Sequence, residues 1–417
     1  MGLISNAVKP QKVKKFLYSE LIPGSVNSGR FVRTFDVVIV GGGVCGAFLG
    51  YCLAKQGLQP VVFDCRNSGN TNCGGFISNL ALKKFSLLEG FLSLEHRNDN
   101  EYHLISPSGK KVVFRTESNK KFVSFLPDNL NRYLLDSAIR CGCKFIPEKV
   151  VDIYSEKGLW KIKTDFRTTR ARIIVGADGV RSLVRKTVCE PLSREDLSIG
   201  FGYLVKGFPE KRFIKRFLKN RTGYLRINDL GKCSSIGLVD KLCNSEGLKA
   251  ELDIIIKQES HRLRPFRKWS TLIPSPQNAD FFKQSCTGKN WLLAGDAAGH
   301  VNFLTGDSLL YALWSAELAA QAIIIGDLRL FDSLWKQEFG DELIKAALNR
   351  KLFENRNLLE TLIAAAQSSN TLSDILFQFF AGDERIGEVK KRFLVKLPKI
   401  FLESTVLSLP GKIKNCF

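Results

Sequence analysis

The stretch that decides the fold runs from residue 35 to residue 64 and reads "FDVVIVGGGVCGAFLGYCLAKQGLQPVVFD". It opens with "FDVVIV", which is mostly apolar and β-branched, as is typical of a strand buried on both faces. Three glycines follow, and then a helical period and a second apolar strand. The second strand ends at the acid Asp64. This order of strand, glycines, helix, strand and acid predicts a βαβ unit that binds a dinucleotide.

Each glycine of this G-x-G-x-x-G pattern has a separate physical purpose. Gly41 permits a tight turn, Gly43 lets the backbone approach a pyrophosphate, and Gly46 lets the helix pack closely on the strand. The helix N-terminus then offers unpaired amides and a positive dipole end to the phosphates. Asp64 is placed to accept hydrogen bonds from ribose hydroxyls, and an acid there disfavours a ribose 2′-phosphate. FAD or NAD is therefore expected at this site, rather than NADP.

Two later stretches also place an acid at the end of a buried strand. Residues 172–185 read "RIIVGADGVRSLVR", and their strand ends just before Asp178. Residues 292–313 read "LLAGDAAGHVNFLTGDSLLYAL", which puts Asp296 after an apolar run and predicts a helix that opens at Gly306. No second G-x-G-x-x-G occurs, so we expect no separate NAD(P)H domain of the disulfide-reductase type.

Together, the three motifs resemble those of the FAD-dependent oxidoreductases with the glutathione-reductase-like fold that includes p-hydroxybenzoate hydroxylase. Within that group, "NCGG" at residues 72–75 and "GDAAGHVNFLTGDSLLYAL" are most similar to the geranylgeranyl reductase family. The resemblance covers roughly residues 35 to 355. It implies an α/β fold with a Rossmann-like FAD-binding domain, an antiparallel-sheet substrate domain and C-terminal helices.

The resemblance also implies which residues contact FAD. Asp296 would accept hydrogen bonds from the ribityl hydroxyls, and the helix from Gly306 would point its positive end toward the flavin N1–C2 region. Asp178 would lie near the flavin or its pyrophosphate. The expected FAD-contacting residues are Gly41, Gly43, Gly46, Asp64, Arg66, Cys73, Gly74, Gly75, Asp178, Gly179, Gly295, Asp296, Gly306 and Asp307.

The chemistry implied by the resemblance is reduction of a carbon–carbon double bond in a lipophilic, isoprenoid-like substrate by hydride from reduced FAD. The electrons would come from NAD(P)H that visits transiently or from a reduced carrier protein. Three residues are candidates for the reacting centre. Cys73 is expected beside the flavin ring or as a small core filler, His300 as a proton donor or a turn cap, and Tyr224 in the pocket wall.

One stretch departs from the reductase pattern and leaves other reactions open. The reductases commonly carry Y-x-W-x-F-P on the substrate sheet, whereas "GYLRIND" keeps Tyr224 and has Arg226, Asn228 and Asp229 at the other three places. A wall that should be apolar is therefore polar. The alternatives are an FAD-dependent monooxygenase acting on an aromatic or lipophilic substrate, and a flavoprotein that transfers electrons without turnover.

The predicted domains follow the motifs. We expect a discontinuous FAD-binding domain and a substrate domain inserted into it. The expected segments are a basic arm at 1–34, the FAD-binding domain at 35–190 and 287–345, the substrate domain at 191–286, and a C-terminal helical region with a basic amphipathic tail at 346–417.

The net charge of +21 suits an anionic partner: a nucleic acid, a membrane surface or a phosphorylated substrate. No RNP, KH or zinc-knuckle pattern accompanies the charge, so nucleic acid is not expected. Residues 211–221 and 390–414 interleave bases with apolar residues, either as a solvated basic face over a buried stripe or as an anion-binding surface. Residues 389–417 are predicted to lie on an anionic membrane surface, or else to pack as ordinary terminal helices.

The eleven cysteines show no spacing typical of a zinc site, so no metal is expected, and a reducing compartment is favoured. No run reaches the ~20 apolar residues that a membrane span needs. We expect a cytoplasmic or peripheral membrane protein, with organellar import and the oligomeric state left open.

Overall fold

The three-dimensional structure is a computed structural model that describes residues 34–65, 75–93, 97–99, 101–115, 122–207, 213–259 and 263–408. The strands are β1 (Thr34–Val40), β2 (Val61–Phe63), β3 (Phe76–Ile77), β4 (Arg97–Asp99), β5 (Glu101–Ile105), β6 (Lys111–Arg115), β7 (Phe122–Ser124), β8 (Lys144–Ile146), β9 (Val150–Glu156), β10 (Leu159–Thr164), β11 (Thr168–Gly176), β12 (Leu197–Lys206), β13 (Phe213–Phe217), β14 (Tyr224–Asp229), β15 (Ser234–Lys241), β16 (Arg264–Pro274) and β17 (Trp291–Leu293). The helices are α1 (Val44–Lys55), α2 (Asn79–Lys84), α3 (Leu87–Phe91), α4 (Pro127–Arg140), α5 (Leu183–Val188), α6 (Leu248–Glu259), α7 (Leu309–Ile325), α8 (Leu330–Trp335), α9 (Asp341–Glu354), α10 (Arg356–Ser368), α11 (Asn370–Phe380) and α12 (Ile386–Ser408).

The first sheet has β1 at its centre, between β2 and β11, and these three strands run parallel. Strand β8 extends the sheet in parallel beyond β2, and β17 pairs in parallel with the end of β11. The hairpin β9–β10 pairs antiparallel with the first half of β11. Strand β1 is buried from Val37 to Val40, because it pairs with a strand on each side and packs against α1.

The carboxyl ends of β1, β11 and β17 lie level with one another. Val40 at the end of β1 pairs with Gly176, and Gly176 pairs in turn with Leu293 of β17. The backbone ladder continues past the strands, since Ala177 donates to the Val40 carbonyl at 2.8 Å and Ala294 to the Gly176 carbonyl at 2.9 Å. The three sequence motifs therefore leave the sheet side by side at one edge.

Glycines let the backbone segments at this edge of the sheet approach one another closely. Gly41 has a φ of +100°, and a Cβ there would lie 2.3 Å from the Ala177 carbonyl oxygen of the neighbouring turn. A Cβ on Gly46 would lie 1.9 Å from the Gly41 carbonyl oxygen, where helix α1 crosses the end of β1. Any side chain at either position would separate parts of the backbone that must touch.

The second sheet has the order β16-β12-β15-β14-β13-β5-β6 and is antiparallel apart from the β13–β5 pair. Strands β5 and β6 precede the segment 191–286 predicted for the substrate domain, so that boundary misses part of the sheet. The reason is that their pairing is long-range: Tyr102 stands beside Phe213, and the two rings stack with centroids 4.6 Å apart. A third, small sheet has the order β3-β7-β4.

Helices α9 to α12 pack together on the β5–β6–β13 end of the second sheet. Glu342 at the start of α9 fixes α12, because both of its carboxylate oxygens accept from the Ile386 amide at 3.0 Å. One of the same oxygens accepts from Asn302 Nδ2 at 3.3 Å. Among the described residues, none of the helices combines the length and apolarity needed to cross a membrane.

Candidate active site

A cavity of about 440 Å³ opens at the level edge of the first sheet. The turns after β1, β11 and β17 form one side of it, and β12, β16 and the start of α7 form the other. Its lining includes Gly43, Val44, Cys45, Asp178, Gly179, Asp296, Ser308, Leu309, Ile199 and Leu272. The structure thus brings all three sequence motifs to one cavity.

The N-terminus of α1 faces this cavity without a cap of its own. Gly43 is the N-cap residue, the first turn contains no acidic side chain, and among the described residues no side chain caps its amides. Val44 and Cys45 both line the cavity. Uncapped first-turn amides and the positive end of the helix dipole suit a pyrophosphate.

Asp64 closes the other end of the βαβ unit. It is buried, and its Oδ2 accepts a hydrogen bond from the Gly42 amide at 2.7 Å. The acid therefore sits under the glycine turn, although it is not among the residues that line the cavity. Its contact with ribose hydroxyls stays a prediction.

The two carboxylate oxygens of Asp178 differ in their hydrogen bonding to the described residues. Its Oδ2 accepts from the Leu183 amide at 2.7 Å and so caps α5. Its Oδ1 is buried without a hydrogen-bond partner among the described residues. Burial raises the pKa of Asp178. An orphaned acceptor at the cavity wall fits a ligand that supplies a hydroxyl or N–H donor.

Asp296 lies on the turn that ends β17. Gly295, with a φ of +60°, lets this turn approach α1, since a Cβ there would lie 3.0 Å from Cys45 Sγ. Burial raises the pKa of Asp296 to about 7. The carboxylate is costly to bury without donors, and a polyhydroxyl chain in the cavity would supply them. The glycine turn, the orphaned Asp178 oxygen and Asp296 together fit a bound FAD.

Comparison with known proteins agrees with this geometry. A family model described as an FAD binding domain matches residues 34–206. This chain is an FAD-dependent oxidoreductase. The flavoprotein is 26% identical over 307 residues to the geranylgeranyl diphosphate reductase of Rhodobacter capsulatus, a match that covers 69% of this chain and 74% of the relative.

Solved structures share the fold. A geranylgeranyl bacteriochlorophyll reductase-like protein from Thermoplasma acidophilum superposes with a TM-score of 0.72 at 18% identity, over 90% of this chain and 99% of that chain. A probable FAD-dependent monooxygenase from Pseudomonas aeruginosa, pqsL, superposes with a TM-score of 0.59 at 17% identity, over 79% and 99% of the two chains. The predicted α/β fold and the relationship to the geranylgeranyl reductases are confirmed.

The turn before α7 differs from its prediction. The flavoprotein's α7 begins at Leu309 rather than at Gly306, because Gly306 has a φ of +80° and belongs to a turn. Asp307 caps the helix: it accepts from the Leu310 amide at 3.0 Å and from Ser78 Oγ at 2.9 Å. The residues of this segment that line the cofactor cavity are Ser308 and Leu309, and no contact of Gly306 or Asp307 with that cavity is seen.

His300 is placed away from the cavity. It is fully buried, its Nδ1 lies 3.0 Å from Ser315 Oγ, and Ser315 also accepts from the Gly295 amide at 2.9 Å. The rings of Trp335 and Phe339 pack around it with centroids 4.6 and 5.2 Å away. Burial lowers the pKa of His300 to about 3. This geometry favours the turn-stabilising role over proton donation.

Tyr224 lines two small cavities of about 10 and 80 Å³ on the far side of the 303–308 turn, which we call the chamber. Sequence reasoning missed Lys215, which lines both parts of the chamber with Tyr224. Its stretch resembles a solvated basic face, yet Lys215 is only 2% exposed. The signal was its alternation with Phe213 and Phe217 in "FIKRF", which puts Lys215 on the same face of the strand as two buried rings.

Four predicted residues need separate mention. Arg66, Cys73 and Gly74 lie outside the described residues. Gly75 is described, with a φ of +66° and its carbonyl accepting from the Phe125 amide at 3.0 Å. The expected roles of these residues at the flavin stay predictions.

Replacing Asp296 tests the cofactor site. We expect Asp296→Ala to weaken FAD binding about tenfold to a hundredfold, since a hydrogen bond to a charged group contributes about 1.5–3 kcal/mol. We also expect the FAD-free variant to be as stable as the FAD-free parent or more so, because it no longer holds a half-buried carboxylate whose pKa is raised. Fluorescence titration with FAD and urea unfolding measure the two effects. Asp280→Ala, at an exposed acid, is the control; unchanged FAD affinity in Asp296→Ala would contradict the assignment.

Titration of His300 gives a pH prediction. The pKa is about 3 in the folded state and about 6.5 in an unfolded chain, so the unfolded state binds more protons between these values. The contribution of His300 to the free energy of unfolding is fully present above about pH 6.5. It decreases toward pH 3 by up to about 1.4 kcal/mol per pH unit. Asp296, whose folded pKa is raised, acts in the opposite direction, so the difference between wild type and His300→Gln is the informative quantity.

The measurement is urea unfolding of both proteins between pH 5 and pH 8. We expect the stability advantage of the wild type to shrink as the pH falls below about 6.5. A difference that is constant across this range would show that the buried imidazole is not held neutral.

Proposed function

We propose that this oxidoreductase reduces a carbon–carbon double bond of a lipophilic, isoprenoid-like substrate. When bound, FAD supplies the hydride for such a reduction. The observation that carries the proposal is an apolar groove that shares Phe353 and Phe380 with the chamber, which lies across the 303–308 turn from the cofactor cavity. The relatedness to geranylgeranyl diphosphate reductase supports the same substrate class.

The chamber and the cofactor cavity border the same turn, residues 303–308. On the 303–308 turn, Gly306 lines the chamber and Ser308 the cofactor cavity. A group held in the chamber therefore lies beside the region that the cofactor fills.

An apolar groove of about 340 Å³ continues from the chamber between helices α9, α10, α11 and α12. Phe353 and Phe380 line both the chamber and the groove. The rest of the groove is almost wholly aliphatic or aromatic, for example Leu359, Ile363 and Leu376. Such a shape buries a long hydrocarbon chain while its reactive end enters the chamber.

The chain's own residues would orient this substrate and exclude water. Tyr224 and Phe380 form an aromatic wall, and their packing keeps the chamber small. Burial raises the pKa of Tyr224, so its phenol stays protonated and can donate a hydrogen bond. Hydride addition to a carbon–carbon double bond is completed by a proton, which an acid or a water molecule would supply.

The test is product analysis by mass spectrometry. The FAD-loaded protein is incubated with geranylgeranyl diphosphate or a lipid extract, NADPH and isotopically labelled oxygen. We expect a product with two added hydrogens and no label, because the groove suits a prenyl chain. One labelled oxygen atom in the product would instead establish the monooxygenase alternative, and flavin reduction with no substrate change would favour electron transfer.

A groove variant sharpens this test. Leu362→Trp narrows the groove, so we expect a larger loss of kcat/KM with geranylgeranyl diphosphate than with the shorter geranyl diphosphate. Leu348→Trp is the control, because Leu348 is 67% exposed and lies outside the groove. Equal losses for both substrates in Leu362→Trp would place the prenyl chain elsewhere.

We further propose that α12 lies on an anionic membrane surface, which would bring a lipid substrate to the groove. Leu394, Val395, Phe401 and Leu402 are each more than 60% exposed, and lysines interleave them along the helix. An apolar face flanked by bases is the pattern of an interfacial helix. Val389, Phe393 and Leu394 of the same helix contribute to the groove or its border. The tail beyond residue 408 lies outside the described residues.

For the membrane proposal, the variant is Phe401→Ser with Leu402→Ser. We expect weaker sedimentation with phosphatidylserine vesicles, because two apolar side chains no longer enter the interface, and little change in FAD content. Raising the salt concentration should weaken binding of the wild type. If the double variant sediments like the wild type at low salt, α12 is not the membrane contact.

A further inference from the structure

Asn302 lies at the start of the 303–308 turn, which separates the chamber from the cofactor cavity. The residue is only 2% exposed. Its side-chain oxygen Oδ1 accepts hydrogen bonds from the Leu304 amide at 3.2 Å and from the Thr305 amide at 3.4 Å. Its backbone carbonyl accepts from the Gly306 amide at 2.9 Å. One asparagine therefore binds three successive amides of the turn and determines the path of the backbone there.

The buried carboxylate of Glu342 orients the side chain of Asn302. Asn302 Nδ2 donates to Glu342 Oε1 at 3.3 Å, and the Ile386 amide fixes Glu342 by donating to both of its oxygens at 3.0 Å. An ionised carboxylate can only accept hydrogen bonds, so it must face the NH2 group of the asparagine. The asparagine oxygen then points the other way, toward the Leu304 and Thr305 amides. Glu342 thus selects one of the two orientations of the Asn302 amide.

The 303–308 turn contributes to both cavities. Leu304 and Gly306 line the chamber, whereas Ser308 lines the cofactor cavity together with Leu309, the first residue of α7. A change in the path of the turn would therefore shift the N-terminus of α7 relative to bound FAD. The positive end of a helix dipole stabilises negative charge that develops close to it. Because the flavin gains negative charge on reduction, the position of the turn affects its reduction potential.

We propose that Asn302, oriented by Glu342, is a positioning residue that holds the turn against the cofactor and so raises the reduction potential of bound FAD. Asn302 is not among the residues that line either cavity, and it acts through the backbone of the turn. Lys215 supports the same turn from the chamber side, by donating to the Leu304 carbonyl at 3.2 Å. The inference goes beyond the proposed function, because it does not depend on which substrate is reduced.

The first experiment measures the midpoint potential of FAD bound to full-length Asn302→Ala. The variant lacks the acceptor for two amides of the turn, so α7 is held less firmly against the cofactor. We expect the preference for reduced over oxidised FAD to fall about tenfold, which lowers the midpoint potential by ~30 mV for a two-electron couple. Equilibration with reference dyes measures the potential, and fluorescence titration measures the affinity for FAD.

Asn355→Ala is the matched control for Asn302→Ala. The Asn355 side chain accepts from the Leu358 amide at 3.1 Å and so caps α10, at an exposed position. Its removal deletes the same kind of hydrogen bond and also costs stability. We expect the midpoint potential of Asn355→Ala to equal that of the wild type, because α10 does not border the cofactor cavity.

The second experiment separates positioning from fold stability. Asn302→Asp keeps the acceptor of the turn but places a second carboxylate opposite Glu342, and two buried like charges repel each other. We expect this variant to have a lower free energy of unfolding and a lower midpoint potential. Adding Glu342→Gln restores one donor facing one carboxylate, with the same net charge as the wild type. We therefore expect the double variant to regain both quantities.

The comparison of the single and double variants decides the inference. Recovery of the potential in the double variant supports it, also where Asn302→Ala or Asn302→Asp does not load FAD. The inference is overturned if Asn302→Ala has the potential of the wild type. It is also overturned if the double variant does not regain the potential, since the pair would then only stabilise the fold. Neither measurement involves lipid reduction, so failure here leaves the proposed function standing, and failure of lipid reduction leaves this inference standing.

Discussion

The level ends of β1, β11 and β17 are the constraint on which the rest of the structure depends. Because Val40, Gly176 and Leu293 stand in one register row, three chain segments must leave the sheet through the same narrow edge. Backbone crowding there excludes side chains at Gly41 and Gly46. The space left over is a cavity bordered by amides on one side and by carboxylates on the other, which is the complement of a dinucleotide.

The carboxylates at this edge destabilise the cofactor-free protein, and a bound cofactor that donates hydrogen bonds to them would relieve that destabilisation. Burial raises the pKa values of Asp178 and Asp296, and Asp178 keeps one oxygen without a partner among the described residues. A site that is strained in this way gains more from the correct ligand than one already satisfied by its own chain. Cofactor binding and stability are therefore coupled through the same side chains.

Local patterns predicted the parts of the fold that local physics determines. "FDVVIVGGGVCG" was sufficient to predict the first strand, the glycine turn and the start of α1. The pairing of β5 with β13 was not predictable, because Tyr102 and Phe213 are about 110 residues apart in the chain and the pairing has no sequence pattern of its own. The start of α7 was placed too early because a glycine turn in "LTGD" looks like the first turn of a helix.

The residues of the candidate site were also predictable only where a local sequence pattern determines their position. Acids at strand ends marked the cofactor cavity, since their placement is a property of single segments. His300 is adjacent in sequence to the same motif, yet its ring turns into the core toward Ser315, which only the packing of α7 decides. Lys215 was interpreted as part of a basic surface, because Phe380, one of the rings that bury it, comes from α11, far along the chain.

The Asn302–Glu342–Ile386 contact joins the turn between the two cavities to the first residue of α12. The 303–308 turn is also held by Lys215 from the chamber side and borders the cofactor on the other. Flavin binding and the binding events proposed for the chamber and for α12 would therefore act on one short segment of backbone. Linkage is reciprocal: if an occupied membrane surface tightens the hold on the cofactor, the cofactor must tighten the hold on the membrane by the same factor. In such an enzyme, the FAD-loaded form would reside at the membrane more than the FAD-free form.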